Sequence, residues 1–199
     1  RQDCSRGKKN LYDFGFQFGD WLALDNPEPG PFGRTDAFYI ASAYYMYSTK
    51  LTAKAARVLG LEADAALFEA RAKAINEAML STYFDENGIC KIDTQTAYAV
   101  AIHMEIVTGE AAMKNGALLA EKIKANNMHL DTGFVGTPYL CLALTKTNQH
   151  DIAVKLLLQK EIPGWLGEVR LGATTIWEAW DALDEQGHLT GDSSLNHYA

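Results

Sequence analysis

Apolar and polar positions along the chain sort into two kinds of helical segment that alternate. One kind is apolar on nearly every side: residues 36–51, 94–107 and 137–144, the second carrying Ala97, Tyr98, Ala99, Val100, Ala101, Ile102, Met104 and Ile106. A helix without a polar face is predicted to be enclosed by other elements. The other kind is amphipathic. In 62–83, Leu67, Ala70, Ala74, Ile75, Ala78 and Met79 share one face, while Glu69, Arg71, Lys73 and Glu77 lie on another. Segments 110–126, with Met113, Ala117, Ala120 and Ile123, and 149–160, with Ile152, Ala153, Leu156 and Leu157, repeat that pattern and predict surface helices.

The punctuation agrees with these limits. Thr137-Pro138 reads as a hydroxyl cap followed by proline at the first helical position, Asn148 stands three residues before Asp151, and Gly60, Gly109 and Gly133 mark ends. Asp85-Glu86-Asn87-Gly88 predicts a turn joining a short strand pair, and little strand is expected elsewhere. Enclosed helices beginning near residues 36, 94, 137 and 175 give later repeats of roughly 40 residues, each one enclosed plus one exposed helix. The expected fold is all-α, a toroid or solenoid of helical pairs. In a closed toroid the inner helices run parallel, so their N-termini meet at one mouth. The connections at that end are Gly19-Asp20-Trp21, 93–96, 131–137 and 174–178.

The richest chemistry lies near the end. Trp177-Glu178-Ala179-Trp180 sets a carboxylate between two indoles, with His197 not far behind. Indole faces stack on the apolar faces of sugar rings, and a glutamate among them can activate a water, so the first reading is a glycosidase. A helix is predicted to begin at Thr175, and this leaves Glu178 two roles. It can complete a capping box with Thr175, or it can serve as a base whose ionised form is favoured by the helix dipole. Trp21, just before the Pro/Gly loop 26–31, reads equally as a core anchor or a binding platform. His103, on an apolar helix, reads as a satisfied core histidine.

Composition narrows the picture. With 199 residues, 48% of them hydrophobic, the chain is expected to form one globular unit over 1–199. A net charge of -7 opposes nucleic-acid binding and suits a neutral substrate. No apolar run approaches the roughly 20 residues that span a bilayer, and Arg1-Gln2-Asp3-Cys4 does not begin a secretory signal, so no membrane partner is expected. Cys4, Cys90 and Cys141 are too scattered for a disulfide framework, and Cys141, in an apolar run, is expected to be idle. Asp181, Asp184, Glu185 and Asp192 lack the glycine-punctuated loop of a calcium hand. No metal or other cofactor is expected.

In order along the chain, Gly19-Asp20-Trp21-Leu22, Thr94-Gln95-Thr96-Ala97, Thr132-Gly133-Phe134 with Gly136-Thr137-Pro138-Tyr139-Leu140, residues 172–178 and Asn196-His197-Tyr198 resemble the catalytic domain of glycoside hydrolase family 78 α-L-rhamnosidases. The resemblance implies an (α/α)6 barrel that removes terminal α-L-rhamnose with inversion. It implies Glu178 as general base, Trp21 as an aromatic wall for the sugar and His197 as a hydrogen-bonding partner, with Asp20 and Trp165 as further substrate-binding candidates.

Two positions depart from the family: Ala179 stands where arginine usually follows the glutamate, and Gly164 where serine is common. The family's general acid, from an upstream Asp- and Arg-rich segment ending in Gly-Trp, has no counterpart here. A complete barrel has twelve helices and about seven are counted here. The expectation is the C-terminal half of a barrel, supplying the base but not the acid and inactive alone. Apolar helices along the cut edge would then favour self-association. The alternatives are another (α/α)6 glycosidase or polysaccharide lyase, or a helical-repeat binding module without catalysis.

Overall fold

The computed structural model describes residues 10–26, 28, 30–184, 186–191 and 193–197. Cys4, Lys8, Lys9, Pro27, Pro29, Glu185, Asp192, Tyr198 and Ala199 lie outside the described residues. Among the described residues there are seven helices: α1 Ala37–Val58, α2 Glu62–Tyr83, α3 Gln95–His103, α4 Gly109–Ala125, α5 Thr137–Lys146, α6 His150–Leu157 and α7 Trp165–Arg170. The first six form three hairpins, with α1 on α2, α3 on α4 and α5 on α6; α3 also packs against α5 and touches α1. None of the seven is long and apolar enough to cross a membrane.

The two classes of segment separate only in part: α3 is enclosed as expected, whereas α5 buries only Leu140, Ala143 and Leu144 and leaves Leu142 exposed, and α1 leaves Phe38, Tyr44 and Leu51 exposed. Every residue of α3 from Gln95 to Ile102 is buried. The amphipathic α4 buries only Asn115, Gly116, Leu119, Ala120 and Ile123, and α6 only Ile152, Ala153 and Leu156. One apolar core joins Tyr39, Ile40 and Met46 of α1, Ile75 and Met79 of α2, Tyr98 and Val100 of α3 and Leu140 and Leu144 of α5. The predicted turn is present: the Asp85 carboxylate accepts the amides of Asn87 at 2.9 Å and Ile89 at 2.7 Å, and Phe84 forms an isolated bridge with Cys90.

The N-termini of α1, α3 and α5 do converge. Asp36 caps α1 by accepting the amides of Phe38 and Tyr39, both at 2.8 Å, and Thr94 caps α3 through the Ala97 amide at 3.1 Å. The hydroxyls of Thr35 and Thr94 lie 2.7 Å apart, and the Thr96 hydroxyl and the Gly136 amide both donate to Asp20.

Several boundaries differ from the periodicity. The apolar run 94–107 stays buried after helix α3 stops at His103, because Glu105 adopts φ 59° and turns the chain so that the Ile106 amide donates to Ala101. Thr137 is the first residue of α5 rather than its cap, which is Gly136, and Gln149 rather than Asn148 caps α6. His103 is not satisfied: its ring stacks on Tyr139, with centroids 4.2 Å apart, while its buried Nδ1 has no hydrogen-bond partner among the described residues.

The main correction falls at the Trp-Glu-Ala-Trp segment, where no helix begins at Thr175. The backbone there pairs with a distant segment instead of with its own turns. Glu178 donates to the Ser194 carbonyl at 2.9 Å, His197 to Ile176 at 2.9 Å and Thr190 to Ala182 at 3.0 Å, while the Thr175 hydroxyl bonds the Leu195 carbonyl at 2.7 Å. The capping-box role of Glu178 and the helix-dipole argument both go with the helix. A short helix that the pattern did not predict, α7, lies just before.

Candidate functional site

A cavity of about 440 Å³ opens between the 131–137 connection, the first turns of α5, the start of α7 and the 176–180 segment. Glu178, Trp165 and His197, all named from the sequence, line it together with Trp177, Trp180 and Phe134. Leu22, Pro138, Cys141, Leu157 and Ile176 complete a largely apolar wall.

Two long-range contacts hold Glu178. Its amide donates to the Ser194 carbonyl, and its Oε2 accepts the Ser194 amide at 2.9 Å. The side chain remains 28% exposed, with the His197 imidazole Nδ1 3.9 Å from Oε2. His197 in turn stacks on Phe134, centroids 5.0 Å apart and planes 25° from parallel. Trp165 and Trp180 meet edge to face at 5.4 Å, and the Trp180 Nε1–H donates to the Thr132 carbonyl at 3.2 Å, so both indoles are oriented by contacts behind them.

The other two named residues do not face this cavity. Trp21 packs its indole edge-on against Phe18 at 5.5 Å and Phe32 at 5.2 Å, and touches the site through its carbonyl, which accepts the Phe134 amide at 3.0 Å. Asp20 is 0% exposed. Its Oδ2 accepts the Gly133 amide at 2.9 Å and the Thr96 hydroxyl, and its Oδ1 accepts the amides of Val135 at 2.8 Å and Gly136 at 3.1 Å. The glycines make this approach possible. A Cβ on Gly133 would fall 2.1 Å from the Trp21 carbonyl oxygen, and one on Gly136 would fall 2.2 Å from Thr96 Oγ1.

Trp177 and Trp180, the two indoles flanking Glu178 in sequence, also line the cavity. Phe134 is the wall residue that the residue pattern did not single out; its only signal is position, in a glycine-bearing connection at the mouth. Cys141 is half-buried in the cavity wall, and burial raises its thiol pKa above the ordinary value.

Two carboxyl groups outside the cavity lining are protonated more readily than usual. Glu168 of α7 is buried, and desolvation pushes its pKa up to about 7 against the opposing hydrogen bond from the Trp177 amide. Asp131 is also raised to about 7, by burial first and then by the neighbouring Asp25 carboxylate. Asp131 and Asp25 face a separate polar cleft with Arg34, Asn126 and His129. Among the described residues, no group of three or more His, Cys, Asp or Glu side chains could hold a metal ion.

Residues 3–199 match the model of the bacterial alpha-L-rhamnosidase 6 hairpin glycosidase domain. An alpha-L-rhamnosidase of Formosa agariphila is 37% identical over 185 residues, which cover 92% of this chain and 20% of that protein. One from Alteromonas sp. is 34% identical over 205 residues, covering 98% of this chain and 22% of its own length. Among solved structures, the Streptomyces avermitilis alpha-L-rhamnosidase complexed with L-rhamnose superposes with a TM-score of 0.84 at 34% identity, over 96% of this chain and 18% of that one. The native enzyme from Aspergillus terreus gives 0.90 at 29% identity, over 97% of this chain and 23% of that one. The chain thus spans about a fifth of the length of these relatives.

Proposed function

From the premise that this chain belongs to the bacterial α-L-rhamnosidase six-hairpin glycosidase domain family, we propose that it is the C-terminal part of the (α/α)6 catalytic domain of an inverting α-L-rhamnosidase. Its substrate is a rhamnose-containing glycoside or polysaccharide. Glu178 acts as the general base, taking a proton from the water that attacks the anomeric carbon. Trp165 and His197 contact the sugar, while Asp20 and Trp21 shape the pocket from behind. The general acid comes from outside these 199 residues.

The observation that carries this reading is the setting of Glu178. Its carboxylate is anchored on one oxygen by the Ser194 amide, stands 3.9 Å from His197, and opens on a cavity walled by Trp165, Trp177 and Trp180. An anchored, solvent-reachable carboxylate can orient a water, and aromatic walls suit a pyranose ring with few charges. Inversion needs a second carboxyl group across a gap of roughly 6.5–9.5 Å, wide enough for that water, and requires no metal.

The test is hydrolysis of an aryl α-L-rhamnoside by the chain alone and by the complete polypeptide that carries it, with the product anomer followed by NMR. Turnover by the complete polypeptide with release of the inverted sugar, and little or none by the chain alone, is the expected result. Strong turnover by the chain alone would refute an external acid. A retained anomer would refute inversion, and an inert complete polypeptide would refute the substrate class.

A further inference from the structure

We infer that Asp20 is a positioning residue of this site: its buried carboxylate holds the 132–137 connection, and with it Phe134 and His197, in the geometry that receives the sugar. The inference deepens the proposed function and rests on it for the identity of the sugar.

Asp20 lies beneath the mouth, fully buried, and its carboxylate accepts from four donors. Oδ1 takes two main-chain amides, from Val135 and Gly136, and Oδ2 takes the Gly133 amide and the Thr96 hydroxyl. Among the described residues no cationic side chain bonds to it. The negative charge is met instead by oriented N–H groups and by the first turns of α3 and α5, whose dipoles favour an anion there. The main chain of Asp20 is tied as well, since its carbonyl accepts the amides of Ala23 at 3.2 Å and Gly33 at 3.1 Å.

The consequence reaches the cavity through short steps. Gly133, Val135 and Gly136 flank Phe134, so fixing their amides fixes the Phe134 ring. That ring stacks on His197, and His197 stands beside Glu178. The Thr132 carbonyl, at the start of the same connection, orients the Trp180 indole. An amide in place of the carboxylate would aim two N–H groups at sites now filled by donors, leaving buried donors unpaired, so Asp20→Asn should release this connection while keeping the side-chain volume. Glu178 is anchored by Ser194 instead, so recognition of the sugar should suffer more than the proton transfer.

The test combines steady-state kinetics with hydrogen–deuterium exchange on the complete polypeptide, comparing wild type with Asp20→Asn and Thr96→Val. We expect Asp20→Asn to raise KM for an aryl α-L-rhamnoside about tenfold with kcat changed by less than about threefold. Exchange should quicken in 132–137 and 194–197 and not in α2. Thr96→Val, which removes one donor without touching the carboxylate, should shift both readouts in the same direction by less, and it decides the matter if Asp20→Asn does not fold. Lost binding with unchanged exchange would make Asp20 a direct sugar ligand and overturn the inference. Uniformly faster exchange with intact KM would make it a general stabiliser and overturn it too. Absence of rhamnoside turnover in wild type would strike the proposed substrate, whereas localised exchange in the variants would still show the hold on the connection.

Discussion

Glu178 and Ser194, sixteen positions apart, clasp each other twice: the Glu178 amide donates to the Ser194 carbonyl, and the Ser194 amide donates to the Glu178 carboxylate, each at 2.9 Å. The clasp does for this carboxylate what the first turn of a helix was expected to do. It holds one oxygen by a main-chain donor and leaves the group facing the cavity.

Replacing Glu178 by Gln keeps an acceptor for the Ser194 amide and removes the proton-accepting charge. In the complete polypeptide, Glu178→Gln should lower kcat by roughly 10²–10⁴-fold, the range typical of a lost general base. Affinity for L-rhamnose, measured by calorimetry, should stay within a few-fold of wild type. A variant with near-normal kcat would remove Glu178 from the base role.

Burial of Glu168 makes stability depend on pH in a defined direction. Its pKa is raised in the fold from the ordinary 4.5 to about 7, so the native state holds this proton more tightly than the unfolded chain does. The contribution is fully present below about pH 4.5 and is lost as pH rises through about 7, a change on the order of 3 kcal/mol. Asp131, also raised to about 7, acts in the same sense. Denaturant melts between pH 5 and 8 should therefore show a smaller decline for Glu168→Gln than for wild type, and identical slopes would contradict this.

Cys141 reports on occupancy of the cavity. It is half-buried in the wall, whereas Cys90 is buried and its thiol is pushed up to about 11, chiefly by burial. Saturating L-rhamnose should slow alkylation of Cys141 by iodoacetamide several-fold, read peptide by peptide in a mass spectrometer, while Cys90 stays unreactive throughout. An unchanged Cys141 rate with bound sugar would place the sugar elsewhere.

The chain alone is expected to self-associate through exposed apolar surface, and its exposed aromatics are candidates for that contact. Phe16 is 69% and Phe18 61% exposed; the two rings meet edge to face at 5.0 Å, and Phe16 also meets Phe32 at 6.1 Å. Sedimentation should show concentration-dependent self-association that weakens in a Phe16→Ser, Phe18→Ser double variant. A monomer at all concentrations would refute it.

Where the helices run was legible in the order of the residues, because their apolar periodicity marks six of the seven, but of the three segments expected to be enclosed only α3 is buried on nearly every side. Glu178, read from its place between two indoles, and Trp165 and His197, named by the family resemblance, line one cavity. What only the tertiary structure decided is which backbone donors each of them receives. Residues 175–178 carry a good helix-start pattern, yet the Glu178 amide donates to Ser194, the Ile176 carbonyl accepts from His197 and the Trp177 amide bonds Glu168, and local pattern has no access to that competition. For the same reason Asp20, a substrate-binding candidate by the family resemblance, lies sealed beneath the mouth in the fold. Its four partners come from Thr96 and from 133–136, and proximity across more than seventy positions exists only once the helices have packed.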